Sequence, residues 1–170
     1  ALQVLAQAAC DNGQHGVVDR GARQGVLDGA HFLEVELARL DHPVAGNLAL
    51  EAHNLEPSLV PAAVMAATHV AQGGNLRKAS KILEKTWALV PHPDIAEAYA
   101  NVRSGDSALD RLKRVTALTK KSGGIEAAVA LATAAIEARE WKAARKALEP
   151  FAHDRPQARI CGLMAEIEEG

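Results

Sequence analysis

The chain predicts an all-α fold of stacked antiparallel helix hairpins, and three observations carry that expectation. The first is compositional. Of 170 residues, 48% are hydrophobic but only 3% are aromatic, so the core must be built chiefly from Ala, Leu and Val. Small side chains favour closely packed helices, whereas strands ask for more β-branched and aromatic residues than most segments here contain. The second is a local grammar at residues 74–91. A Gly74-Asn75 turn feeds a helical pattern with Leu76, Ala79, Ile82, Leu83, Thr86 and Trp87 on one face, and Pro91 closes it. Ala79, small and central on that face, lets another helix approach closely. The third is recurrence. Ala45 and Ala79 stand 34 residues apart, as do Pro57 and Pro91, while Ala79 and Ala144, like Pro91 and Pro156, stand 65 apart. One repeat length, and nearly two with a small deletion between, account for both spacings.

The elements follow in order. Leu2, Leu5, Ala6 and Ala9 give a helical period stopped by Asp11-Asn12-Gly13, and a short helix through Val17, Val18 and Ala22 lies in the Gly-rich stretch that follows. Phe32, Leu33, Val35, Leu37 and Leu40 mark the first helix of a hairpin. Its second helix, residues 44–54, is introduced by Pro43, which suits an opening turn. Residues 59–72 form the next first helix, ended by Gly73-Gly74-Asn75, and its partner begins at Leu76. In a shorter pair, His92-Pro93-Asp94 begins a first helix through Ile95, Ala98, Tyr99 and Val102, ended by Ser104-Gly105-Asp106, and its partner spans Ser107 to Lys121. The last full hairpin pairs residues 125–138 with 141–152, and a solitary helix after Pro156 carries Ile160, Leu163, Met164 and Ile167. The expected organisation is one repeat domain with a weakly patterned start at 1–25, units at about 26–59, 60–93, 94–124 and 125–156, and a terminal helix at 157–170.

Bulk charge narrows the function. Lys+Arg 19 against Asp+Glu 21 gives a net charge of −2, not the footprint of a dedicated nucleic-acid binder. The local run Lys113, Arg114, Lys120 and Lys121 has no interleaved aromatics and reads as a solvated helix face. Cys10 and Cys161 have neither metal-ligand nor redox spacing, which favours a reducing compartment. No apolar run reaches the roughly 18 residues of a membrane span. The helical pattern opening at Ala1 suggests a piece of a longer chain.

The sequence offers no nucleophile elbow, phosphate-cradling glycine loop or zinc-binding helix, so no catalytic residue and no metal site is expected. Its seven histidines are scattered with no pair four apart. His53 and His69 stand out because each lies on a helix and their units are neighbours; they are the candidate haem ligands. Trp141 and Trp87 read first as packing residues, with a peptide-anchoring role as the alternative for both, Trp87 ahead of Trp141.

A two-helix unit of about 34 residues resembles the tetratricopeptide repeat. In the unit from Val60 to Pro93, Ala67, Gly74, Leu76, Ala79, Leu83 and Pro91 match the family's pattern. In the unit from Ile125, Leu131, Ala132, Trp141, Ala144, Leu148 and Pro156 match, but Arg139 replaces the turn glycine. The resemblance implies a tetratricopeptide-like α-α superhelix whose first helices line a concave partner-binding face. By register Ala30, Glu34, Val64, Thr68, Val129 and Thr133 should face it. Lacking the Lys, Arg and Asn of carboxylate clamps, these positions suit an extended apolar or helical ligand.

A closer likeness covers roughly residues 44–170. The segments Ala49-Leu50-Glu51-Ala52-His53-Asn54-Leu55-Glu56-Pro57 and His92-Pro93-Asp94-Ile95-Ala96-Glu97-Ala98-Tyr99, with the ending Cys161-Gly162-Leu163-Met164-Ala165-Glu166-Ile167-Glu168-Glu169, resemble the C-terminal repeat region of the bacterial HemY family. That resemblance implies an inner-membrane protein with an N-terminal anchor, not present in this sequence, and a repeat domain on the cytoplasmic side. It further implies a non-catalytic scaffold for haem-pathway enzymes. The alternative is a haem-binding or haem-delivery module using a histidine; otherwise no cofactor is expected. No nucleic-acid partner is expected.

Overall fold

The computed structural model describes residues 42–120, 122–153 and 157–170. Among these residues all regular structure is helical: α1 (His42–Leu55), α2 (Val60–Gln72), α3 (Leu76–Leu89), α4 (Pro93–Ala100), α5 (Ala108–Thr119), α6 (Ile125–Glu137), α7 (Trp141–Leu148), a 3-10 turn (Glu149–Phe151) and α8 (Ala158–Glu169). The helices expected before residue 41 lie outside the described residues. The chain divides into two compact units between Leu89 and Val90, two residues short of the proline that closes the 60–93 repeat.

In the first unit α2 packs against both α1 and α3. Its buried face is wholly small: Ala62, Ala63, Ala66 and Ala67, with Val70 at the end. Ala45 and Ala49 of α1 and Ala79 and Leu83 of α3 meet it, all within 2% of complete burial. Without long side chains between them, the helix backbones come close. The one larger group at this seam, the His69 ring, lies directly on Gly46, where an added Cβ would overlap it. The loop from α1 to α2 is secured from α3, where the fully buried Thr86 donates its Oγ1 hydroxyl to the Pro57 carbonyl at 2.8 Å.

The second unit stacks α4 to α8 in sequential order. α6 packs against α4 and α5 on the preceding side and against α7 and α8 on the following side. Its core joins Ala132, Ala135 and Ile136 of α6 to Ala144 and Leu148 of α7 and Ile160 and Ile167 of α8. The starts of α6 and α8 are clamped by a two-pronged ion pair, Arg159 donating through Nη1 to Glu126 Oε2 at 2.7 Å and through Nη2 to Oε1. The starts of α6 and α8 therefore lie at one end of the unit. Capping side chains explain several helix starts: Asn75 Oδ1 accepts from Lys78 N, His92 Nδ1 from Asp94 N and Ser107 Oγ from Asp110 N.

The two hairpins expected to be equivalent match bond for bond. α2 and α6 start at Val60 and Ile125, and α3 and α7 at Leu76 and Trp141, each 65 residues on. At the first turn Gly74 N donates to Ala71 O at 2.9 Å and Asn75 N to Val70 O at 3.1 Å. At the second, Arg139 N donates to Ile136 O and Glu140 N to Ala135 O, both at 2.8 Å. This is the Schellman pattern, which needs a left-handed residue. Gly74 supplies it at φ 84°, and Arg139 adopts it at φ 57° despite its side chain. The missing glycine was absorbed as local strain, not as a different turn.

Two elements end earlier than their patterns suggest. α4 stops at Ala100, with the Asn101 side-chain Nδ2 donating to Glu97 O at 3.1 Å. α7 stops at Leu148 because Pro150 has no N–H to continue it, and the chain tightens into the 3-10 turn.

The turn comparison sets a test by equilibrium denaturation. Arg139→Gly should gain up to about 1 kcal/mol by removing a side chain from a left-handed position, and Gly74→Ala should lose about 1 kcal/mol. A loss for Arg139→Gly would contradict the assignment of strain.

Candidate functional site

The first helices of the hairpins carry no Lys or Arg: α2, α4 and α6 are neutral or acidic, whereas α3, α5 and α7 are basic. This segregation distinguishes two kinds of surface.

On α2, Val64 is half-buried and Thr68 exposed, with Thr68 Oγ1 donating to Val64 O at 2.9 Å. On α6, Val129 is half-buried and Thr133 exposed. The same pairing of a half-buried valine and an exposed threonine one turn later thus occurs in each unit. Ala30 and Glu34 lie outside the described residues. A further pair escaped the sequence reading. Counted from the helix start, Glu97 and Asn101 take the places of Val64 and Thr68, and both are exposed. They sit on and just beyond α4, which packs on α6. The shortness of the middle hairpin hid this register, although Pro93 as a first helical residue was a usable marker. The open face of the second unit is therefore more polar than Val129 and Thr133 alone suggest.

His53 and His69 are not brought together. His69 lies against Gly46, near the start of α1, while His53 stands seven residues further along that helix, about 10 Å by helical rise. The two rings cannot clamp one iron. His53 is only 3% exposed, and its Nδ1 has no hydrogen-bond partner. Burial, with a contribution from the Lys85 charge, lowers its pKa. It stands one 34-residue repeat before Trp87, itself 2% exposed, and both side chains lie inside the unit. A haem on His53 would require this seam to open, and the residues do not fit the group. Burial also removes Trp87 as a peptide anchor. Trp141 is half-buried, and a Cβ at Gly170 would meet its indole at 2.5 Å.

Several of the remaining charges form local ion pairs. Lys113 is exposed and reaches Asp110 at 3.2 Å, and Lys120 is exposed, as expected for a solvated face. Arg114 departs from that expectation by turning inward to Asp106, whose carboxylate also lies 3.9 Å from Arg103. Arg111 joins α5 to Glu137 of α6 at 3.4 Å. Hydrogen bonds from Arg159 hold the Glu126 carboxyl below the usual glutamate range, against the opposing effect of partial burial. Lys121 lies outside the described residues.

Among the described residues, no three His, Cys, Asp or Glu side chains are grouped to hold a metal ion, and no helix is long and apolar enough to cross a membrane. No family model, no curated protein and no solved structure matches the chain.

The buried imidazole gives a pH dependence. With its folded pKa depressed, His53 stays neutral while the unfolded chain takes up a proton near the ordinary value of about 6.5. Stability is complete above that pH, falls as the pH drops towards the folded pKa, and then levels off. His53→Leu should therefore lose less stability than the wild type between pH 7.5 and 5.5 in urea titrations. Parallel losses would contradict a neutral buried ring.

Proposed function

We propose that the chain is a tetratricopeptide-like, non-catalytic scaffold that binds a protein partner along the open faces of its first helices. The observation that carries this reading is the recurrence at 65 residues of one hydrogen-bonded turn together with one set of buried positions, Ala79 and Ala144, Leu83 and Leu148, all at 0% exposure. A hairpin repeated in this way fills its interior from the first helix chiefly with alanines, with Val70 and Ile136 near the ends of those helices. Val64, Thr68, Val129 and Thr133 are then left for contact, together with Glu97 and Asn101. Their mixture of small apolar, hydroxyl and amide groups suits an extended or helical segment of a partner, held by modest apolar burial and a few hydrogen bonds.

The resemblance to the HemY family supplies the finer proposal. The partners are enzymes of haem synthesis at the bacterial inner membrane, gathered by a repeat domain on the cytoplasmic side of an anchor elsewhere in the full protein. The placement of His53 and His69 favours protein scaffolding over direct haem handling.

Site-specific photocrosslinking in bacterial cells tests both levels. A crosslinking residue at Thr68 or Thr133 should give discrete adducts containing haem-pathway enzymes, while the same residue at Lys142, exposed on α7, should not. Adducts lost on substituting Val64→Asp or Val129→Asp would support the face. Equal adducts from Lys142, or none from either threonine, would contradict it.

A further inference from the structure

The solvent face of α3 is a second, chemically different surface. Arg77, Lys78, Lys81 and Lys85 are all exposed. The four-residue spacing places Arg77, Lys81 and Lys85 in one line about 12 Å long, with Lys78 beside it. Glu84 is the one acidic residue of the helix. None of these four cations is in an ion pair among the described residues, whereas Arg111, Arg114, Arg145 and Arg159 are each committed to a carboxylate. The chain has a net charge of −2, yet this helix sets four cations against one carboxylate. Like charges four residues apart on a helix repel one another, so an opposing anionic surface relieves a cost built into the folded state.

We propose that this face docks on the surface of an anionic lipid bilayer. Three of the four cations are lysines, compact charges on flexible stems that follow diffuse headgroup phosphates; recognition of a positioned carboxylate draws on the planar fork of arginine. No aromatic side chain lies among them to stack on nucleic-acid bases. Leu89, four residues past Lys85, is 57% exposed, and Leu55, one repeat earlier, is 62% exposed. α1 and α3 both pack on α2 from the same repeat position, so the two leucines stand at the same end of the unit, where they can enter the headgroup layer. The inference does not depend on the partner-binding face of α2, which carries no Lys or Arg.

Cosedimentation of the full chain with vesicles tests it. Binding should be strong to phosphatidylcholine mixed with phosphatidylglycerol, absent with phosphatidylcholine alone, and lost as salt is raised. Each cation near such a surface contributes about five-fold in partitioning. The exposed set Arg77→Gln, Lys78→Gln, Lys81→Gln and Lys85→Gln should therefore reduce binding by more than about a hundred-fold with an unchanged helical circular dichroism spectrum. Lys81→Gln alone should cost about five-fold, which keeps the test decisive if the combined variant folds poorly. Lys142→Gln with Lys146→Gln, on the exposed face of α7, should bind like the wild type. Equal binding to neutral and anionic vesicles, or an equal loss in the α7 variant, would overturn the proposal. So would tighter binding of a polyglutamate peptide than of vesicles, which would assign the face to an acidic protein.

Discussion

Close contact between helix backbones is the constraint on which the rest of the structure depends. Ala62, Ala63 and Ala66 of α2, Ala79 of α3, Ala132 and Ala135 of α6 and Ala144 of α7 are all fully buried. An alanine contributes little apolar area by itself, and its value lies in letting the larger Leu83 and Leu148 seat against a neighbouring backbone. A core of this kind has few long side chains with which to fill an error. Gly46 and the ring of His69 illustrate the tolerance, for not even one carbon can be added between them.

Local, sequential packing is accompanied by a segregation of charge. Packing is sequential within each unit, and α2, α4 and α6 remain without Lys or Arg while α3, α5 and α7 gather them. Ion pairs then act as ties at the ends of helices, Arg159 to Glu126 at the start of α8 and Arg145 to Glu168 near its end, the latter at 2.6 Å. The Arg145 and Glu168 groups are exposed, and screening leaves such a pair a small part in stability. The apolar contacts of Ile160 and Ile167 do more to hold α8.

Much of this was legible in the sequence because small residues, turn glycines and prolines act locally. Gly74 marked a helix boundary, and the 65-residue offset located Ala144 and Leu148 correctly. What was not legible depends on contacts across sequence. Thr86 reads as an ordinary helix-face residue until its bond to Pro57, 29 residues away, is seen. Arg114 reads as part of a solvated run, yet it is drawn to Asp106 in the preceding loop. His53 reads as an available ligand because imidazole is polar; its repeat position, shared with Trp87, places it inside. The candidate face was visible at Val64, Thr68, Val129 and Thr133, but Glu97 and Asn101 required the register of a shortened hairpin.

Unfolding of Ala79→Leu and Ala144→Leu probes the close helix approach most directly, since both sites have 0% exposure and the same repeat position. Overpacking should cost each variant about 1–3 kcal/mol in urea denaturation, by similar amounts. Wild-type stability in either variant would mean that the seam has room for a larger side chain, and would contradict the account.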